Sequence, residues 1–137
     1  MTSVAAPQQA LPPKRIGQIA VLVKDVERAT GFYRDVLGLQ HLFTAPPGLS
    51  FFRCGEVRLM LERPEGADEN QRASILYYDV PDLDAAFRAL SGRGAKAVTE
   101  PHIIHRTESM ELWMAFFEDG EGNMFALMSE VLTGNKK

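Results

Sequence analysis

Hydrophobic positions along this chain follow two periods, and the two alternate in a repeating order. IGQIAVLV, residues 16–23, is a short apolar run with β-branched side chains, which predicts a strand. VERATGFYRDVLG comes next, with Val26, Ala29, Phe32, Tyr33, Val36 and Leu37 at helical spacing. Asp25 stands where a carboxylate accepts from the free amides of a first helical turn, and Gly38 where a helix ends. Gly31 weakens the middle of that helix by about 1 kcal/mol relative to alanine. A loop is expected at Pro46, Pro47 and Gly48, and then LSFFRC and VRLMLE flank Gly55 and Glu56 as a hairpin.

The order then repeats. SILYYDV predicts a strand, and Asp82 caps a helix over LDAAFRALSGRG with Leu83, Ala86, Phe87 and Leu90 on one face. AVTEPHIIHRTE predicts a short strand with a long polar segment, and MELWMAFF and NMFALMSE flank a second hairpin at residues 118–122. QIAVLVKDVE lies over ILYYDVPDLD, strand on strand and cap on cap, and FFRCGEV lies over FFEDGEGNM. The expected fold is therefore α+β: two tandem βαβββ modules, residues 15–66 and 74–132. Residues 67–73 form the linker, with tails at 1–14 and 133–137. One copy buries too little apolar surface to stand alone, so the two should pack together.

Strand alternation assigns faces. Ile19, Val21 and Val23 are expected against the helix, with Gln18, Ala20 and Leu22 opposite. Val57, Leu59 and Leu61 point to the helix, which leaves Arg58, Met60 and Glu62 on the concave side. In the second module Leu76, Tyr78, Val80, Phe125 and Leu127 are helix-facing. Ile75, Tyr77, Asp79, Met124, Ala126 and Met128 are concave.

Composition narrows the partners. The chain has 137 residues, 45% hydrophobic and 24% charged, which suits one globular domain and not a disordered chain. A net charge of -3 provides no basic field for a phosphate backbone, so nucleic acid is not an expected partner. No apolar run approaches the roughly 18–20 residues that cross a bilayer, so no membrane partner is expected. The start MTSVAAPQQALPPKR lacks the pattern of a secretory signal, and a cytoplasmic location is the expectation. The lone Cys54 can form no internal disulfide and no cysteine zinc cluster.

QIAVLVKDVERATGFYRDVLGL resembles the opening of vicinal oxygen chelate proteins, the glyoxalase, bleomycin-resistance and extradiol-dioxygenase superfamily. FFEDGEGNMFALMSE resembles their closing hairpin. The resemblance covers about residues 15–132 and implies paired modules whose curved mixed sheets enclose a cavity, in a homodimer. It also implies four concave metal-ligand positions, which here are Gln18, Met60, Ile75 and Ala126. Glutamine serves as a ligand in some glyoxalase I enzymes, whereas a thioether is soft and Ile and Ala have no donor. The family metal site is therefore expected to be absent and no cofactor is expected, with a relocated divalent metal as the alternative.

The remaining chemistry is sparse. His102 and His105 form H-x-x-H in the polar segment; a lid or surface pair is the plain reading, and a metal pair completed by Glu62 or Glu111 the sharper one. Glu62 and His105 are the candidate general bases. Gln18, Arg58, Met60, Tyr77, His102, Trp113 and Met128 are the candidate ligand-binding residues. Arg58 could pair with Glu62 or fork onto a carboxylate ligand, and Tyr77 offers a ring and a phenol. The methionines would make the surface adaptable. His41 is expected at the surface. Three readings stay open: a metal-free binder of a small apolar or aromatic molecule, a metal-free enzyme, and a glyoxalase-like lyase, isomerase or dioxygenase with a relocated metal.

Overall fold

A computed structural model describes residues 10–46, 48–64 and 74–133. The expected linker at 67–73, most of the first tail and nearly all of the last lie outside the described residues. The two modules are present. Strands β1 (Gln18–Leu22), β2 (Gln40–Ala45), β3 (Leu49–Cys54) and β4 (Val57–Glu62) form a sheet ordered β1-β4-β3-β2. Strands β5 (Leu76–Asp79), β6 (Lys96–Arg106), β7 (Met110–Glu118) and β8 (Met124–Leu132) form a second, ordered β5-β8-β7-β6. In each sheet the first strand pairs parallel with the last, Gln18 opposite Arg58 and Tyr77 opposite Ala126, and the other pairings are antiparallel.

Helix α1 (Val26–Gly31) starts where expected, its Asp25 side chain accepting from the Arg28 amide at 3.0 Å. It does not continue as a plain α-helix. Phe32–Val36 form a π-helical turn in which the Leu37 amide bonds back to Phe32 at 3.0 Å. The wider turn is the signature of one extra residue in the helical ladder. Phe32 and Tyr33, at its start, both reach residues of the other module. Helix α2 (Leu83–Gly92) is capped by Asp82, which accepts from Ala85 at 3.0 Å.

The strand faces match the expected alternation. Val21, Val23, Leu59 and Leu61 are buried with Ala29, Tyr33 and Phe52 under α1. Leu83, Leu90, Ala115, Phe117, Phe125 and Leu127 form the core under α2. Fully burying side chains such as Phe52 or Leu61 contributes about 1.5–3 kcal/mol each.

One seam joins the halves. Glu121 Oε1 accepts from the amides of Lys24 and Asp25 at 2.9 and 3.0 Å, and Arg28 Nε donates to its Oε2 at 2.6 Å. Tyr33 donates to Asp119 Oδ2 at 2.7 Å, and Asn123 Nδ2 to the Leu22 carbonyl at 2.8 Å. The Phe32 and Phe125 rings meet edge-on at 6.0 Å between the two cores.

Two expectations need correction. The polar segment after α2 is not a short strand and lid but one 11-residue strand, β6. It lies at the sheet edge, where Pro101 can be accommodated, and irregularities in its pairing absorb the extra residues. The chain before Pro46 supplies the second strand of the βαβββ order, β2. His41 is half-buried rather than at the surface, its ring 5.1 Å from Phe52.

Candidate functional site

The faces turned away from the helices hold the candidate residues. On the first sheet, Arg58 Nε donates to Gln18 Oε1 at 2.7 Å, and Gln18 Nε2 lies 3.8 Å from Met60 Sδ. Arg58 therefore turns to Gln18, and among the described residues it makes no ion pair with Glu62. Its guanidinium carbon sits 5.2 Å from the Phe51 ring centre. Phe51 in turn stacks on Phe43 at 4.5 Å. Glu62 ends β4 on the same face, half-buried, opposite Leu22 and Leu49.

On the second sheet Tyr77 stands opposite Ala126, and Ala126 opposite Phe116. The Tyr77 and Phe116 rings meet edge-on at 6.0 Å and cover Ala126, which is fully buried. Met128 lies between Asp79 and Met114 in the next row. His102 pairs with Met114 and His105 with Leu112. Residues two apart on β7 share a face, so both histidines belong to this one. An i, i+3 spacing achieves that in a strand because the register slips between Ile103 and His105. His102 Nδ1 lies 2.7 Å from the Glu100 carbonyl.

Trp113 is placed elsewhere. It shares the parity of Ala115 and Phe117, packs on the second core, and donates from Nε1 to Glu111 Oε1 at 3.0 Å. The structure thus gathers Gln18, Arg58, Met60 and Glu62 on the helix-free face of the first sheet and Tyr77, His102, His105 and Met128 on that of the second. Within one chain the second face is partly open to solvent, with Ile75 42% and Tyr77 46% exposed.

Perturbed groups lie behind this surface. Burial and the neighbouring Asp119 push the Tyr33 phenol far above its ordinary range. Burial raises Tyr78 as well, and its hydroxyl has no hydrogen-bond partner among the described residues. Cys54 is raised by burial alone, which makes it a poor nucleophile. Among the described residues no three His, Cys, Asp or Glu side chains gather as a metal set.

The family model described as Glyoxalase/Bleomycin resistance protein/Dioxygenase superfamily matches residues 15–127. The chain belongs to this superfamily. The solved fold of a superfamily member from Sphaerobacter thermophilus is similar, with TM-score 0.72 at 20% identity over 87% of this chain and 99% of that one. A lactoylglutathione lyase from Agrobacterium tumefaciens gives 0.68 at 24% identity over 87% and 96%. An antibiotic binding protein from Streptomyces sp. gives 0.71 at 21% over 88% and 99%. Mouse mitochondrial methylmalonyl-CoA epimerase is 41% identical over 59 residues, 39% of this chain. That match spans 33% of the epimerase, well under two thirds of its length.

Superfamily membership does not by itself point to the residues missed in the sequence. Arg53 faces Arg58 across β3 and β4, and Phe43 faces Phe51 across β2 and β3. Arg53 could have been found by counting alternation onward from Phe51. Phe43 could not, because an irregularity between His41 and Phe43 shifts the register.

Proposed function

We propose that this superfamily member binds a small apolar or aromatic molecule on its concave surface without a metal. One observation carries the reading. The four positions that the family uses for metal offer one amide oxygen at Gln18, a thioether at Met60 and hydrocarbon at Ile75 and Ala126. That donor set does not fit a divalent ion. Gln18 Oε1 already accepts from the Arg58 guanidinium, a fixed positive charge that opposes a cation at the same oxygen. Tyr77, Phe116, Met114 and Met128 provide an apolar, adaptable surface instead.

The exposed Ile75, Tyr77 and Met124 would be covered in a homodimer, which is part of the proposal. So is a cytoplasmic location; among the described residues no helix is long and apolar enough to cross a membrane. Elemental analysis of purified protein tests the central point. Less than stoichiometric divalent metal, with a thermal-shift screen finding aromatic ligands that chelators do not abolish, is expected. A stoichiometric metal lost in Gln18→Ala would overturn the reading. Light scattering should give twice the chain mass.

The shared face of His102 and His105 favours a second reading, a metal-free enzyme that moves a proton with a histidine or Glu62. Product analysis on any ligand found decides between them. Consumption that stops in His105→Gln or Glu62→Gln selects the enzyme.

A further inference from the structure

The hairpin end of the first sheet carries a charge arrangement that the fold does not need. Arg53 and Arg58 stand directly opposite each other on antiparallel strands, so their side chains leave the same face. Like charges in that position repel. Among the described residues neither forms an ion pair. Arg15 lies at the same end, its Nη1 donating to the Glu56 carbonyl at 3.0 Å and its Nε 3.9 Å from the Glu56 carboxylate. Among the described residues the carboxylate at this end is paired with Arg15, which leaves Arg53 and Arg58 without a counter-charge in a chain whose net charge is -3. A cleft of about 200 Å³ opens here, lined by Leu42, Arg53, Glu56, Val57 and Arg58.

Arg58 is also held in place. Its Nε is used by Gln18 at 2.7 Å and its guanidinium carbon lies over the Phe51 ring, 5.2 Å from the ring centre. Among the described residues its two Nη groups have no side-chain acceptor, and a pre-set guanidinium loses less freedom when it binds an outside one. Beside it, Phe43 stacks on Phe51 and remains 46% exposed. A flat apolar platform therefore adjoins a fixed cation with a second cation across the strand.

We propose that Arg58 and Arg53 bind the carboxylate of an aromatic acid whose ring lies on the exposed ring of Phe43, which the buried Phe51 backs. The inference rests on the metal-free binding reading and names the class of ligand for it. Arg58 makes the forked contact, and Arg53 supplies charge and a second donor. The bound anion relieves the arginine repulsion, so binding and stability are linked through one pair.

The test uses the full chain with 2-naphthoate, its neutral analogue 2-naphthalenemethanol, and inorganic sulfate, each followed by calorimetry and thermal melting. Naphthoate should bind at least about tenfold more tightly than the alcohol, and added salt should weaken it. Arg58→Ala should lose about tenfold or more in naphthoate affinity. Phe43→Ala should weaken naphthoate and leave sulfate unchanged. Arg53→Gln should bind naphthoate more weakly yet melt higher when ligand-free, a pairing of effects that a structural role would not produce. Arg58→Lys, which keeps the charge but not the fork, controls for folding and should fall between Arg58→Ala and the parent. Equal binding of acid and alcohol, both unaffected by Arg58→Ala, would overturn the anion site and leave the metal-free binder standing. Naphthoate binding that chelators abolish and added zinc restores would overturn the metal-free reading instead. No binding of naphthoate at millimolar concentration would overturn the aromatic-acid proposal.

Discussion

At the scale of single residues, burial decides which groups can act. Tyr33 is buried and donates to a buried carboxylate, so its folded-state ionisation lies above the ordinary value of 10.0. An acid raised on folding stabilises the protein below its unfolded pKa and loses that contribution as pH rises beyond it. Tyr78 is raised in the same direction. Unfolding free energy should therefore hold to near pH 10 and fall above it, and urea melts across pH 8–11 measure this. In Tyr33→Phe the alkaline fall should be shallower. The same substitution should cost about 1–3 kcal/mol at neutral pH, because Asp119 loses a donor. Cys54, raised by burial, should react with iodoacetamide much more slowly than a free thiol, and unfolding should abolish the protection. The caps were legible at this scale because an N-cap is a local signal, and both Asp25 and Asp82 accept as expected. The partner of Arg58 was not: Glu62 is nearer in sequence, but parallel pairing sets Gln18 opposite Arg58.

Secondary-structure elements show where period-based reading fails. Plain strands and helix α2 obey one period throughout, and their faces were predictable. Strand β6 does not, since its register slips between Ala97 and Thr99, Thr99 and His102, and Ile103 and His105. Each slip exchanges the faces of the residues beyond it, so His102 and His105 share a side that a regular strand would deny them. Trp113 shows the converse. Its parity with Ala115 and Phe117 sends it to the core, although its aromatic character suggested a ligand wall. The π-helical turn at Phe32–Val36 is equally silent in hydrophobic spacing. Asp82→Ala should destabilise the protein by about 1 kcal/mol, read as a lower urea midpoint at unchanged slope. A larger loss would mean that Asp82 supports more than the first turn of α2.

Across the whole molecule, the two modules meet at a polar seam in which Glu121 is the central acceptor. Its carboxylate receives two backbone amides and two guanidinium nitrogens of Arg28 while almost fully buried. Arg28 is held charged by the same contact, its pKa raised by the bond to Glu121. Glu121→Ala should lower stability by on the order of 2–4 kcal/mol, through loss of charge-assisted bonds to buried amides. Denaturant titration followed by both tryptophan fluorescence and far-UV circular dichroism checks it. The parent should show one transition by both probes. In the variant, the fluorescence of Trp113 in the second module should depart from the dichroism, because the seam is where the halves are coupled.

The sequence by itself determined the duplicated βαβββ order, the two capped helices and the inward strand faces. These depend on local periods and side-chain chemistry, which a linear chain carries without loss. Only the tertiary structure decided which residues become neighbours across strands and between modules. Arg53 beside Arg58, Phe43 on Phe51, Glu121 at the start of α1 and the two histidines on one face all depend on register and docking. Such contacts join residues far apart in sequence, and a one-residue slip in pairing changes them while local hydrophobic spacing stays the same.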